Sequence, residues 1–213
     1  MKWFTSSVYY LPIPGKIPHN WRNAMIYFIG GAPRTGKTIL GQRISADLRS
    51  GWISTDLLWQ VLQTKKVEGT NIEWDASPAA IAATAEWFFP CLERFVWGIN
   101  SQAENYVIEG VAFLPDQIAQ LLANYPIRTV FLGCSKMTLE RFDRFPGRSP
   151  GYSFLPEEVR RQFAQEIPTW SEFIRQETGR FAYPYVDMGD DFQSGLDKAA
   201  SLLTSGELHS LST

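Results

Sequence analysis

From Ala24 onward, short apolar runs rich in β-prone residues alternate with longer stretches whose apolar positions recur every three or four residues. The runs near 24–30, 51–54, 105–109, 127–133 and 183–187 predict strands. The stretches near 37–49, 55–64, 78–102, 115–124, 137–145, 156–178 and 192–204 predict helices. Strands separated by helices cannot pair as hairpins, so they are expected to form a parallel sheet with right-handed crossovers and helices on both faces. The expected class is therefore a three-layer α/β fold, whose ligands sit at the carboxyl ends of the strands.

Residues 1–23 break this pattern. Leu11-Pro12-Ile13-Pro14-Gly15 and Ile17-Pro18, together with Trp3, Phe4, Tyr9 and Tyr10, predict an extended N-terminal arm laid on a domain spanning 24–204. Between the second and third strands lies a helical, aromatic segment, about 57–104, that carries Trp59, Trp74, Trp87, Phe88, Phe89, Phe95 and Trp97. It is expected to act as a substrate-binding insertion, most of its aromatics forming a packing face on a helix kinked or broken at Pro90. Residues 205–213 form a polar tail.

Composition narrows the function. A chain of 213 residues with 45% hydrophobic content fills one ordinary core, and a net charge of −2 gives no footprint for nucleic acid or an anionic membrane. Any bound anion must then be held by local groups, which favours a small phosphorylated ligand. Cys91 and Cys134 lack metal-ligand or C-x-x-C spacing and read as reduced thiols. With no leader pattern and no apolar run of about 18 residues, the expectation is a cytoplasmic protein that spans no membrane.

Gly31, Ala32, Pro33, Arg34, Thr35, Gly36, Lys37 and Thr38 read G-x-x-x-x-G-K-T, between the first predicted strand and the first predicted helix. That is the context a phosphate-binding P-loop requires. Glycines let backbone N–H groups wrap a phosphate, and the following helix aims its positive dipole end at the same anion. Lys37 is expected to bridge the terminal phosphates, and Thr38 to ligate Mg²⁺. No N-K-x-D guanine motif occurs, so ATP is expected over GTP.

Two further strand ends carry carboxylates. Trp52-Ile53-Ser54-Thr55-Asp56 places Asp56 beside the predicted γ-phosphate position, where it would accept the proton of an attacking hydroxyl; its alternative role is an acidic first-turn helix residue. Tyr106-Val107-Ile108-Glu109-Gly110 ends like a Walker B strand, so Glu109 is a candidate Mg²⁺ ligand through water. After the fourth strand come Arg141, Arg144 and Arg148, in a lid expected over about 141–156. Arg144 and Arg148 are candidates for neutralising transition-state charge, and Arg141 for contacting the nucleotide. Asp187, Asp190 and Asp191 read as turn and cap residues.

With these motifs in this order, residues 24–204 resemble the small P-loop kinases: shikimate and gluconate kinases, chloramphenicol phosphotransferase, zeta toxin and 2-phosphoglycerate kinase. The resemblance implies a five-stranded parallel sheet of order 2-3-1-4-5, ATP and Mg²⁺ as cofactors, and γ-phosphoryl transfer to a small-molecule acceptor. It assigns phosphate, metal and base roles to Lys37, Thr38 and Asp56. The chain departs from the pattern in having Glu109 where many relatives place Asp and in lacking the D-x-D pair of shikimate kinases, so acceptor identity does not transfer. The competing expectation is a regulatory or switch ATPase with the same P-loop and no small-molecule acceptor.

Overall fold

The computed structural model of the chain describes residues 24–63, 77–144 and 154–205. The expected arm, Trp74, Arg148, the middle of the expected lid and all but the first residue of the tail lie outside the described residues. Five strands alternate with seven helices among the described residues: β1 (Ile26–Gly31), α1 (Lys37–Leu48), β2 (Gly51–Ser54), α2 (Thr55–Gln63), α3 (Pro78–Gln102), β3 (Tyr106–Glu109), α4 (Pro115–Leu122), β4 (Ile127–Gly133), α5 (Leu139–Arg144), α6 (Glu157–Arg180), β5 (Tyr185–Asp187) and α7 (Phe192–Ser205). The sheet order is β2-β3-β1-β4-β5, and every pairing is parallel. All five strands therefore deliver their carboxyl ends to one edge, the order and polarity that the resemblance implies.

Side chains alternate along each strand, and both faces are covered. On one face, Ile26, Phe28, Ile108 and Phe131 pack against Phe88 and Leu92 of α3, Ile118 of α4 and Ile174 of α6. On the other, Tyr27, Ile29, Val107, Val130 and Leu132 meet Leu40 and Ile44 of α1 and Leu196, Ala199 and Leu203 of α7. Phe28, Phe88, Phe113 and Phe131 are among the largest fully buried side chains, each stabilising the fold by about 1.5–3 kcal/mol through burial. A smaller cluster of Cys134, Phe142, Ala164 and Ile167 joins α5 to α6.

Helix starts follow local chemistry. Ser77 accepts the Ala80 N–H at 3.3 Å and Pro78 opens α3, while the Gln117 side chain accepts the Leu114 N–H at 3.0 Å ahead of α4. Asp191 accepts the Ser194 N–H at 3.0 Å, and Asp187 accepts from Gly189 and Ser135 at 2.8 and 3.1 Å, so both behave as the cap and turn residues expected.

The predicted break at Pro90 does not occur: α3 is continuous from Pro78 to Gln102. Pro90 and Glu86, whose carbonyl loses its partner, are both exposed, so water satisfies that carbonyl while Phe88 and Leu92 hold the other face in the core. The aromatic segment is thus largely core wall: Phe88 is fully buried, and Trp59, Trp87, Phe89, Phe95 and Trp97 pack partly buried against the same cluster. β5 begins at Tyr185, later than predicted, because the Tyr183 N–H bonds the Thr178 carbonyl and Pro184 has no N–H to give a ladder.

Candidate active site

The loop between β1 and α1 wraps back on itself at the carboxyl edge of the sheet. Gly31 has φ 123° and Gly36 φ 91°, and Arg34 adopts the left-handed region at φ 62°. A Cβ on Gly31 would overlap the carbonyl oxygen of Leu132, and one on Gly36 would come within 2.8 Å of the Phe192 ring. Both positions are therefore closed to other residues by backbone conformation and by space. The Ala32 N–H donates to the Leu132 carbonyl at 2.9 Å, anchoring the loop to β4. Helix α1 starts with no side-chain cap on its first N–H groups and no acidic residue in its first turn. These are orphan donors backed by a positive dipole end, a donor set suited to an anion.

Lys37 and Thr35 converge on one acceptor. The Lys37 ammonium donates to the Ala32 carbonyl at 2.6 Å, and the Thr35 hydroxyl to the same oxygen at 2.8 Å. Lys37 is only 6% exposed, and burial pushes its pKa down, opposed by the negative charges of Glu109 and then Asp56. An anion beside this ammonium would reverse the desolvation penalty.

β3 brings a second charged group to the same edge. Glu109 is 2% exposed, and one of its carboxylate oxygens accepts the Thr38 hydroxyl at 3.1 Å. Burial raises its pKa; the Lys37 charge and hydrogen bonding from Ser54 and Thr38 act in the opposite direction. Thr38 and Glu109 supply hard oxygen atoms, a chemistry that fits Mg²⁺. No cluster of three or more potential metal-ligating His, Cys, Asp or Glu side chains exists among the described residues, so a cation here would take most of its ligands from phosphates and water.

Asp56 stands at the start of α2, exposed, with its N–H donating to the Ser54 hydroxyl at 3.3 Å. Its charge acts on both Lys37 and Glu109, so the three groups share one electrostatic neighbourhood. Gly110 lets α2 approach: a Cβ there would overlap the Thr55 hydroxyl, which is buried and has no hydrogen-bond partner. Lys37, Thr38, Asp56 and Glu109, scattered in sequence, are thus brought together.

The arginines lie to the other side. Arg34 donates to the Phe142 carbonyl at 3.1 Å, with its guanidinium 4.6 Å above the Phe142 ring centre. Arg141 donates to the Gly189 carbonyl at 2.6 Å and to that of Met188. With Cys134, Met137, Phe142, Met188 and Phe192 they line a small cavity beside the P-loop. Arg144 is exposed at the end of α5, and Arg148 lies outside the described residues. The sequence reading assigns nothing to Phe142 or Phe192; the aromatic next to Arg141 and the aromatic opening α7 were the available signals. Among the described residues, no helix is long and apolar enough to cross a membrane.

No known family model matches the sequence. No curated protein matches it either. Solved structures do. Shikimate kinase from Acinetobacter baumannii, in complex with shikimate, is 14% identical and superposes with a TM-score of 0.50 over 89% of this chain and 98% of its own. Shikimate kinase from Bacteroides thetaiotaomicron is 18% identical, covering 84% and 98% of the two chains at a TM-score of 0.46. A gluconokinase from Sinorhizobium meliloti 1021 is 18% identical, covering 87% and 99% at a TM-score of 0.42. At these identities the likeness is one of architecture: this chain has the fold of the small P-loop kinases, in their strand order and over most of its length.

Proposed function

We propose that this protein is a phosphotransferase that binds ATP with Mg²⁺ and moves the γ-phosphoryl group to a hydroxyl of a small molecule. The observation that carries this reading is the convergence of a glycine-shaped anion cradle, a buried Lys37, a Thr38–Glu109 oxygen pair and an exposed Asp56 on one sheet edge. A phosphate needs the cradle and the cation; a transfer also needs a carboxylate in reach of an outside hydroxyl.

In this reading the backbone of Gly31–Thr38 and the first turn of α1 hold the β- and γ-phosphates. The Lys37 ammonium moves from the Ala32 carbonyl to the phosphate oxygens. Thr38 ligates Mg²⁺ directly and Glu109 through water; the ion, when bound, supplies charge neutralisation between the β- and γ-oxygens. Asp56 orients the acceptor hydroxyl and takes its proton as the oxygen attacks phosphorus. Arg34 and Arg141, fixed at the Phe142 and Phe192 cavity, wall the base, while Arg144 and Arg148 close over the transferring group. The division into an arm over 1–23, a kinase-like unit over 24–204, an acceptor-binding segment over about 57–104 and a lid over about 141–156 belongs to the same reading.

The test is a phosphorus-31 screen of a metabolite pool with Mg·ATP, run in parallel with the Asp56→Asn variant. One new phosphomonoester signal that Asp56→Asn loses supports the reading. Tight ATP binding with no acceptor phosphorylated overturns it in favour of a regulatory ATPase.

A further inference from the structure

Ser54 belongs to none of the roles above, yet it stands between two of the groups that fill them. β2 and β3 are paired in parallel register with Ser54 opposite Glu109, so the two side chains leave neighbouring strand ends on the same face of the sheet. The Ser54 side chain is 8% exposed, and its hydroxyl hydrogen-bonds the Glu109 carboxylate. On its other side the same oxygen accepts the Asp56 N–H at 3.3 Å.

A hydroxyl has one proton to give and lone pairs to accept with. A serine that merely caps a helix uses the lone pair and leaves the proton to water. Here the proton is directed to a buried carboxylate, so both halves of the hydroxyl are spent on opposite sides of the site. The strand end is held in this register by Thr55, which occupies the space left by the missing Gly110 side chain.

We infer that Ser54 is a positioning residue: its hydroxyl holds Glu109 toward Thr38 while fixing the first turn of α2 that carries Asp56, so the metal-side carboxylate and the acceptor-side carboxylate are tied through one side chain. The inference rests on the phosphotransferase reading, in which Glu109 acts on Mg²⁺. Groups that orient a metal-side carboxylate in this way typically change metal affinity by about 10–100-fold when removed.

The test measures binding, not turnover. ATP affinity is followed by calorimetry across a Mg²⁺ series for the wild type, Ser54→Ala, Glu109→Gln and the double variant. For Ser54→Ala the Mg²⁺ concentration giving half the effect is expected to rise by about 10-fold, with ATP affinity in EDTA unchanged. Ser54→Cys, close in volume and a weak donor, gives the same shift if the strand end keeps its geometry. In the Glu109→Gln background, Ser54→Ala is expected to add nothing, because the path from Ser54 to the metal runs through Glu109. An unchanged Mg²⁺ midpoint in Ser54→Ala, or full additivity in the double variant, overturns the inference and leaves the phosphotransferase reading standing. Failure of the wild type itself to bind ATP, or to show any Mg²⁺ dependence, overturns that reading and the inference with it.

Discussion

The two flanks of the site are built by different means. On the nucleotide flank, between β1 and β4, the backbone does the shaping: Gly31 and Gly36 hold conformations and spaces no other residue fits, and Lys37, Thr35 and Glu109 are all buried. On the acceptor flank, α2 presents Asp56, Leu57, Gln60 and Val61 to solvent, with Leu57 50% and Val61 65% exposed. Here side chains do the shaping, and their exchange disturbs nothing beneath them. A flank fixed by stereochemistry tolerates one ligand chemistry, whereas a flank fixed by exposed side chains can change its ligand without changing the fold.

That contrast can be broken by substitution. The largest effect is expected for Gly31→Ala, where the positive φ alone costs about 1–3 kcal/mol and the clash with the Leu132 carbonyl adds to it. Chemical denaturation should show a lowered midpoint, and ATP should no longer raise the melting temperature. Lys37→Ala comes next: the fold persists, and the nucleotide-induced rise in melting temperature disappears. Asp56→Asn should retain that rise while phosphoryl transfer falls by about 10²–10⁴-fold, the range of general-base catalysis, as read from initial rates. The smallest effect belongs to Leu57→Ser and Val61→Ser, each expected within about 0.5 kcal/mol of wild-type stability. If those two also leave ATP affinity unchanged but alter the acceptor KM, the division between the flanks is sharpened. If they weaken ATP binding instead, it fails.

The same division explains what could be read from the chain. The P-loop is contiguous, so its eight residues announce the anion cradle without any knowledge of tertiary structure. The strands were legible because each is a short apolar run, and α3 was legible from Pro78 to Gln102 because its packing face repeats at helical spacing. Pro90 misled because local propensity says nothing about which face the ring occupies, and here that face is solvent. The cavity of Arg34, Arg141, Phe142 and Phe192 was not legible, since its walls come from four separate elements joined only by the fold. Ser54 escaped for a similar reason: only strand register puts it opposite Glu109.

The central place of β1 bears on how the protein is made. Ile26 must pair with Tyr106 on one side and Ile127 on the other, so the strand that leads into the P-loop emerges from the ribosome long before either neighbour exists. Such distant parallel pairings close slowly. The apolar sequence Ile26-Tyr27-Phe28-Ile29 therefore travels unprotected through most of translation, a natural client for chaperones, and nucleotide capture becomes a late step of biogenesis.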